Sequence, residues 1–143
     1  MVNISNHIII EKPLTEVRGF SSNPENAPVW YQNIKSAIWK TEPPLGLGSQ
    51  IDFIAHFMGK KLSYTYEVVE MNEKVFIMQT AEGPFPMKTS YNWEYIDESS
   101  TKVTLRNTGH TKGFSKLMAP LMSIMMKMAT MKDLKNLKKI LET

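Results

Sequence analysis

The stretch LMAPLMSIMMKMATMKDLKNLKKIL, residues 117–141, decides the reading of this chain. Leu117, Leu121, Ile124, Met128, Met131, Leu134, Leu137 and Leu141 step by three or four residues, the spacing of one face of an α-helix. Phe114, Met118, Met122, Met125 and Ala129 widen that stripe on one flank, while lysines 116, 127, 132, 135, 138 and 139 mostly cover the other side. From Leu121 to Leu141 such a helix is about 30 Å long, enough to cross a small sheet. Pro120 is expected to kink or restart the helix near its own position.

Upstream the period changes to two. Leu62, Tyr64, Tyr66 and Val68 alternate with Lys61, Ser63, Thr65 and Glu67, the pattern of a half-buried strand over 61–70. Met87, Thr89, Tyr91, Trp93 and Tyr95 repeat it over 87–96, with Lys88, Ser90, Asn92 and Glu94 on the opposite face. Further strands are read at 3–10, 36–41, 50–58, 74–81 and 102–110, separated by polar turns and by Gly59-Lys60 as a hairpin turn. Two short helices are inserted after the first strand. Pro13 starts one carrying Leu14, Val17 and Phe20, and Asn23 caps a second opened by Pro24.

Seven antiparallel strands, two short helices and one long terminal helix give an α+β fold, because a sheet with one apolar face needs a cover and only the terminal helix is large enough. The chain has 143 residues and shows neither repeat nor linker, so residues 1–143 are read as one domain.

Composition narrows the function classes. Without cysteine there is no disulfide framework, thiolate metal site or cysteine nucleophile, which fits a reducing compartment. The N-terminus has no basic segment and only Ile8 to Ile10 as an apolar run, so neither a signal peptide nor a membrane span is expected and the location reads as cytoplasmic. The net charge of +3 is uneven: residues 112–143 carry +5 and the rest −2. The basic segment reads as a solvated helix face, with no arginine cluster, RNA motif or zinc-finger spacing to suggest nucleic acid. His7, His56 and His110 lack metal-ligand spacing, and His56 and His110 fall on outward positions, as do Asp52 and Arg106. No cofactor or metal is implied.

The order of elements resembles the START-like, or SRPBCC, superfamily of helix-grip proteins, and within it the polyketide cyclase/dehydrase and lipid-transport group, also called Bet v 1-like. The resemblance covers essentially the whole chain. It is carried by Pro13-Leu14 with Val17, by Asn23-Pro24-Glu25 with Pro28 and Trp30, by Gly48 and Gly59, and by Gly113-Phe114 with Lys116, Leu117 and Pro120. It implies a cavity between sheet and helix for lipids, sterols, polyketides or other apolar molecules, with no universal catalytic set to transfer.

The alternation supplies the candidate ligand-binding residues. Phe53, Phe57, Tyr64, Tyr66, Tyr91 and Trp93 lie on the inward face of the strands, and Leu117, Leu121, Met125 and Met128 on the helix stripe that faces them. Such residues either fill a core or line a pocket, and tyrosine hydroxyls on an inward face need partners in both cases. Asn107 points inward and either orients a ligand oxygen or bonds neighbouring backbone. Three functions follow. The first is binding of a small hydrophobic ligand. The second is a cyclase or dehydratase in which tyrosines manage protons and Asn107 polarises a carbonyl. The third is a co-chaperone-like interaction domain using the basic helix. Ligand identity and oligomeric state are not encoded in these patterns.

Overall fold

The computed structural model describes residues 2–110 and 118–143. Among them, β1 (Val2–Ile10) is followed by α1 (Leu14–Ser22), a single 3-10 turn over Pro24–Asn26 and α2 (Ala27–Trp30). Then come β2 (Ile34–Trp39), β3 (Gln50–Phe57), β4 (Lys60–Met71), β5 (Val75–Glu82), β6 (Met87–Asp97), β7 (Ser100–Gly109) and α3 (Met118–Glu142). The strands form one antiparallel sheet in the order β1-β7-β6-β5-β4-β3-β2. This is the α+β helix-grip arrangement expected from the sequence.

Local chemistry explains the short elements. Asn23 Oδ1 accepts from the Glu25 N–H, and Pro24 occupies the first position of the turn, where its missing N–H costs nothing. The β3–β4 hairpin turns one residue earlier than the sequence suggested. Met58 and Gly59 are its two central residues, with φ of 52° and 76°. Two positive φ values match the twist of the flanking strands, but only the glycine adopts one without steric cost. Replacing Met58 with Asn, which tolerates this region, is expected to stabilise the protein by about 0.5–1 kcal/mol, read as a higher denaturant midpoint. An unchanged or lower midpoint would contradict that turn geometry.

Helix α3 runs from Met118 to Glu142, with Pro120 in its first described turn. Side-chain bonds tie it to the edge strand: Asn6 Nδ2 donates to the Lys127 carbonyl, Lys138 Nζ to the Ile9 carbonyl, and the Glu11 N–H to Glu142 Oε2. Its C-terminal half closes on the core through Leu134, Leu137 and Leu141. The N-terminal half does not present the stripe that the spacing suggested. Leu121, Met125 and Met128 are 48%, 37% and 59% exposed, and Ile124 is also exposed.

The reason lies in the helical phase. Three residues advance a helix by about 300°, roughly 60° short of a full turn. The steps 128, 131, 134 and 137 fall short three times in a row, so a stripe drawn through them has crossed to the opposite face. The leucines hold their side inward, which turns Met122, Met126, Ala129, Thr130 and Asp133 toward the sheet.

Candidate functional site

Between the sheet and the half of α3 that carries Met122, Met126 and Ala129 lies a cavity of about 140 Å³. The sheet side is formed by Phe53, Ala55 and Phe57 of β3, Leu62, Tyr64 and Tyr66 of β4, Thr89 and Tyr91 of β6, and Asn107 of β7. Met122, Met126, Ala129, Thr130 and Asp133 cover it, and Tyr31, just after α2, closes one side. An apolar cavity of about 150 Å³ holds benzene, so this space suits a single ring. A larger guest requires the flexible Met122 and Met126 side chains, or α3 itself, to move outward.

Aromatic packing fixes the wall. Phe53 and Tyr64 are opposite neighbours on β3 and β4, with ring centroids 5.6 Å apart, and Tyr66 meets Phe53 edge-on at 5.9 Å. Three residues form a polar chain across the sheet. The Thr89 hydroxyl donates to Asn107 Oδ1 at 2.7 Å, so the Tyr66 hydroxyl, 2.8 Å away, must donate to Thr89. Asn107 thus bonds a side chain across the ladder and keeps its amide N–H groups for other partners.

A second pair is formed by the hydroxyls of Tyr31 and Tyr91, 2.5 Å apart. One donates to the other, which leaves one hydroxyl proton for a third group. Burial raises the pKa of all four tyrosines: Tyr66 is pushed up to about 12 although its bond to Thr89 pulls the other way. Tyr31, Tyr64 and Tyr91 are also shifted upward, chiefly by burial. All four therefore stay neutral near pH 7.

Asp133 stands out among these groups. It is only 5% exposed, and its Oδ1 accepts from the Gln32 N–H at 2.8 Å. Burial raises its carboxyl from the ordinary 3.8 to about 6, against the opposing effect of the Gln32 N–H. Asn136, one turn on, donates to the Val29 and Trp30 carbonyls, so α3 holds the end of α2 from both residues.

The structure thus gathers Phe53, Phe57, Tyr64, Tyr66, Tyr91 and Asn107 on the cavity wall, six of the residues that the alternation singled out. Trp93 is corrected. It is buried against Phe76, and its indole N–H donates to Ser21 Oγ, so it belongs to the core under α1. Tyr95, two residues nearer the β6–β7 turn, is 64% exposed. Leu121, Met125 and Met128 point away from the cavity for the phase reason given above. Leu117 lies outside the described residues. Tyr31, Thr89, Met122, Met126 and Asp133 were missed as site residues. Thr89 had its signal in the alternation, and Asp133 in being the one acid before Glu142 in the 112–141 run. Tyr31 follows a helix too short to carry a period.

Known structures share the fold over nearly the whole chain. A protein of Thermus thermophilus superposes with a TM-score of 0.82 at 20% identity, covering 96% of this chain and 94% of that one. The Zhui aromatase/cyclase from a Streptomyces species gives 0.82 at 12% identity, over 98% and 93%. A START superfamily protein from Mycobacterium smegmatis gives 0.69 at 17% identity, over 98% and 94%. The chain has a START-like helix-grip fold. Neither protein-family models nor curated protein sequences yield a match to it. No helix among the described residues is long and apolar enough to cross a membrane.

Proposed function

We propose that the protein binds a small apolar molecule, of lipid, sterol or polyketide type, in the cavity between the sheet and the N-terminal half of α3. The supporting observation is the cavity itself: about 140 Å³ framed mainly by aromatic and methionine side chains, with a few hydroxyl and amide groups that have bonding capacity to spare. Residues 1–143 act in this reading as one domain, and the cysteine-free chain suits a cytoplasmic setting.

Native mass spectrometry of freshly purified protein should show a co-bound small molecule. Its readdition at a hundredfold excess over Kd should raise stability by about 2.7 kcal/mol. Ala129→Phe, which places a ring in the cavity from the α3 side, should abolish that stabilisation while leaving the circular dichroism spectrum intact. A protein that emerges empty and is not stabilised by any of a lipid and polyketide panel would contradict the proposal.

A second reading is catalytic, a cyclase or dehydratase acting on a polyketide-like chain. It is favoured by the Tyr66–Thr89–Asn107 chain and the Tyr31–Tyr91 pair, which place proton donors around one cavity, and by the likeness to a protein named as an aromatase/cyclase. Tyr91→Phe should then lower kcat much more than it weakens binding. Equal losses in both would favour binding alone.

A further inference from the structure

Among the described residues that line the cavity, Asp133 is the one carboxylate, and there is no Lys, Arg or His. Its neighbours from the other elements are Tyr31 after α2 and Tyr91 on β6, with Tyr64 and Tyr66 of β4 beyond them. None of these is a cation, and among the described residues the negative charge is answered by the Gln32 N–H at Oδ1. A buried charge without a counter-charge is a standing cost, and it falls when a cation arrives and rises when an anion does.

We infer that the cavity selects a small apolar molecule bearing a protonated amine, seated with its nitrogen against Asp133, and rejects the corresponding carboxylate. The inference rests on the proposed ligand cavity and adds the charge class of its guest. The carboxylate is already desolvated and held by Gln32 before any ligand enters, so an ammonium group gives up only its own water shell. The spare hydroxyl proton of the Tyr31–Tyr91 pair serves Asp133 or a ligand oxygen without supplying charge. A fatty acid or a polyketide acid would set a second negative charge beside the first, in a space without a described counter-ion. Such ligands are therefore disfavoured however well their apolar portions fit.

The test is a matched series on one ring: 2-phenylethylamine, 2-phenylethanol and phenylacetate, titrated calorimetrically at pH 7.5 into the wild-type protein and into Asp133→Asn. Asparagine keeps the shape and an oxygen for the Gln32 N–H. The amine should bind about tenfold or more tightly than the alcohol, the carboxylate should bind most weakly, and in the variant the amine should lose its advantage over the alcohol. In the wild type the advantage should also fade below pH 6, because the four tyrosines stay neutral there and Asp133 is the lining group that changes charge. Alcohol binding without an amine preference, or an amine preference that survives in the variant, overturns the charge assignment and leaves the apolar cavity standing. If none of the three binds, the charge assignment falls, and the ligand cavity falls with it only where the lipid and polyketide panel fails as well.

Discussion

Replacing Trp93 with Ala is expected to cost about 3–5 kcal/mol of folding stability, the range for emptying a buried aromatic site. Trp93 is 1% exposed, its ring stacks on Phe76 at an interplanar angle of 15°, and its N–H bonds Ser21 Oγ at 3.0 Å. It therefore couples α1 to the middle of the sheet, away from the cavity. Because the alanine variant could be too unstable to assay, Trp93→Phe is the informative partner. It keeps an aromatic ring on Phe76 and loses the bond to Ser21, for a smaller cost of about 1–2 kcal/mol. Binding of 2-phenylethanol by Trp93→Phe should be unchanged. A variant that folds stably but no longer binds would return Trp93 to the ligand site.

The second large effect is a gain. Asp133→Asn should make the protein more stable at pH 7–8 by about 1–3 kcal/mol, with the difference vanishing below about pH 4. The folded carboxyl titrates at about 6 and the unfolded one near 3.8. Between those values the folded state holds a proton that the unfolded state has released, so folding takes up a proton and stability falls as pH rises. Above pH 6 the whole cost of the buried charge is present, about 3 kcal/mol for a shift of some two units. Asparagine never carries that charge. Chemical denaturation of both proteins from pH 4 to 8 would show their stabilities diverging as pH rises. Parallel curves would mean that Asp133 is not held at a desolvation cost. A side chain whose removal strengthens the fold is a candidate for a function that the fold itself does not need.

The sheet was legible because alternation is a local signal. Tyr64 and Tyr66, or Tyr91 and Trp93, declare a common face without reference to anything distant. The face alone could not say which part of it lies under α1 and which under α3. For that reason alternation groups Trp93 with the cavity and Tyr95 with the interior, although the structure places one in the core and the other in solvent. The helix failed differently. Its methionines and leucines are both apolar, so hydrophobicity reported a broad band and not its centre.

The polar members fixed that centre more sharply than the apolar ones. Asn136 reaches the end of α2 from the flank of the leucine face, and Asp133, on the cavity edge of that face, bonds Gln32. Starting from Leu134, Leu137 and Leu141 and stepping back by true turns leads to Thr130 and Met126 rather than to Met128 and Leu121. Tyr31 had no such signal, since its position depends on how the chain leaves a four-residue helix.

Seating of a guest between the N-terminal half of α3 and the sheet can be seen in a crystal structure grown with 2-phenylethanol. The ring is predicted between Phe53, Tyr66, Tyr91 and Met126, within reach of the polar groups on the cavity wall. Side chains closed upon one another at that place with no guest, or a ring seated instead on the exposed Leu121, Met125 and Met128 face, would contradict the account.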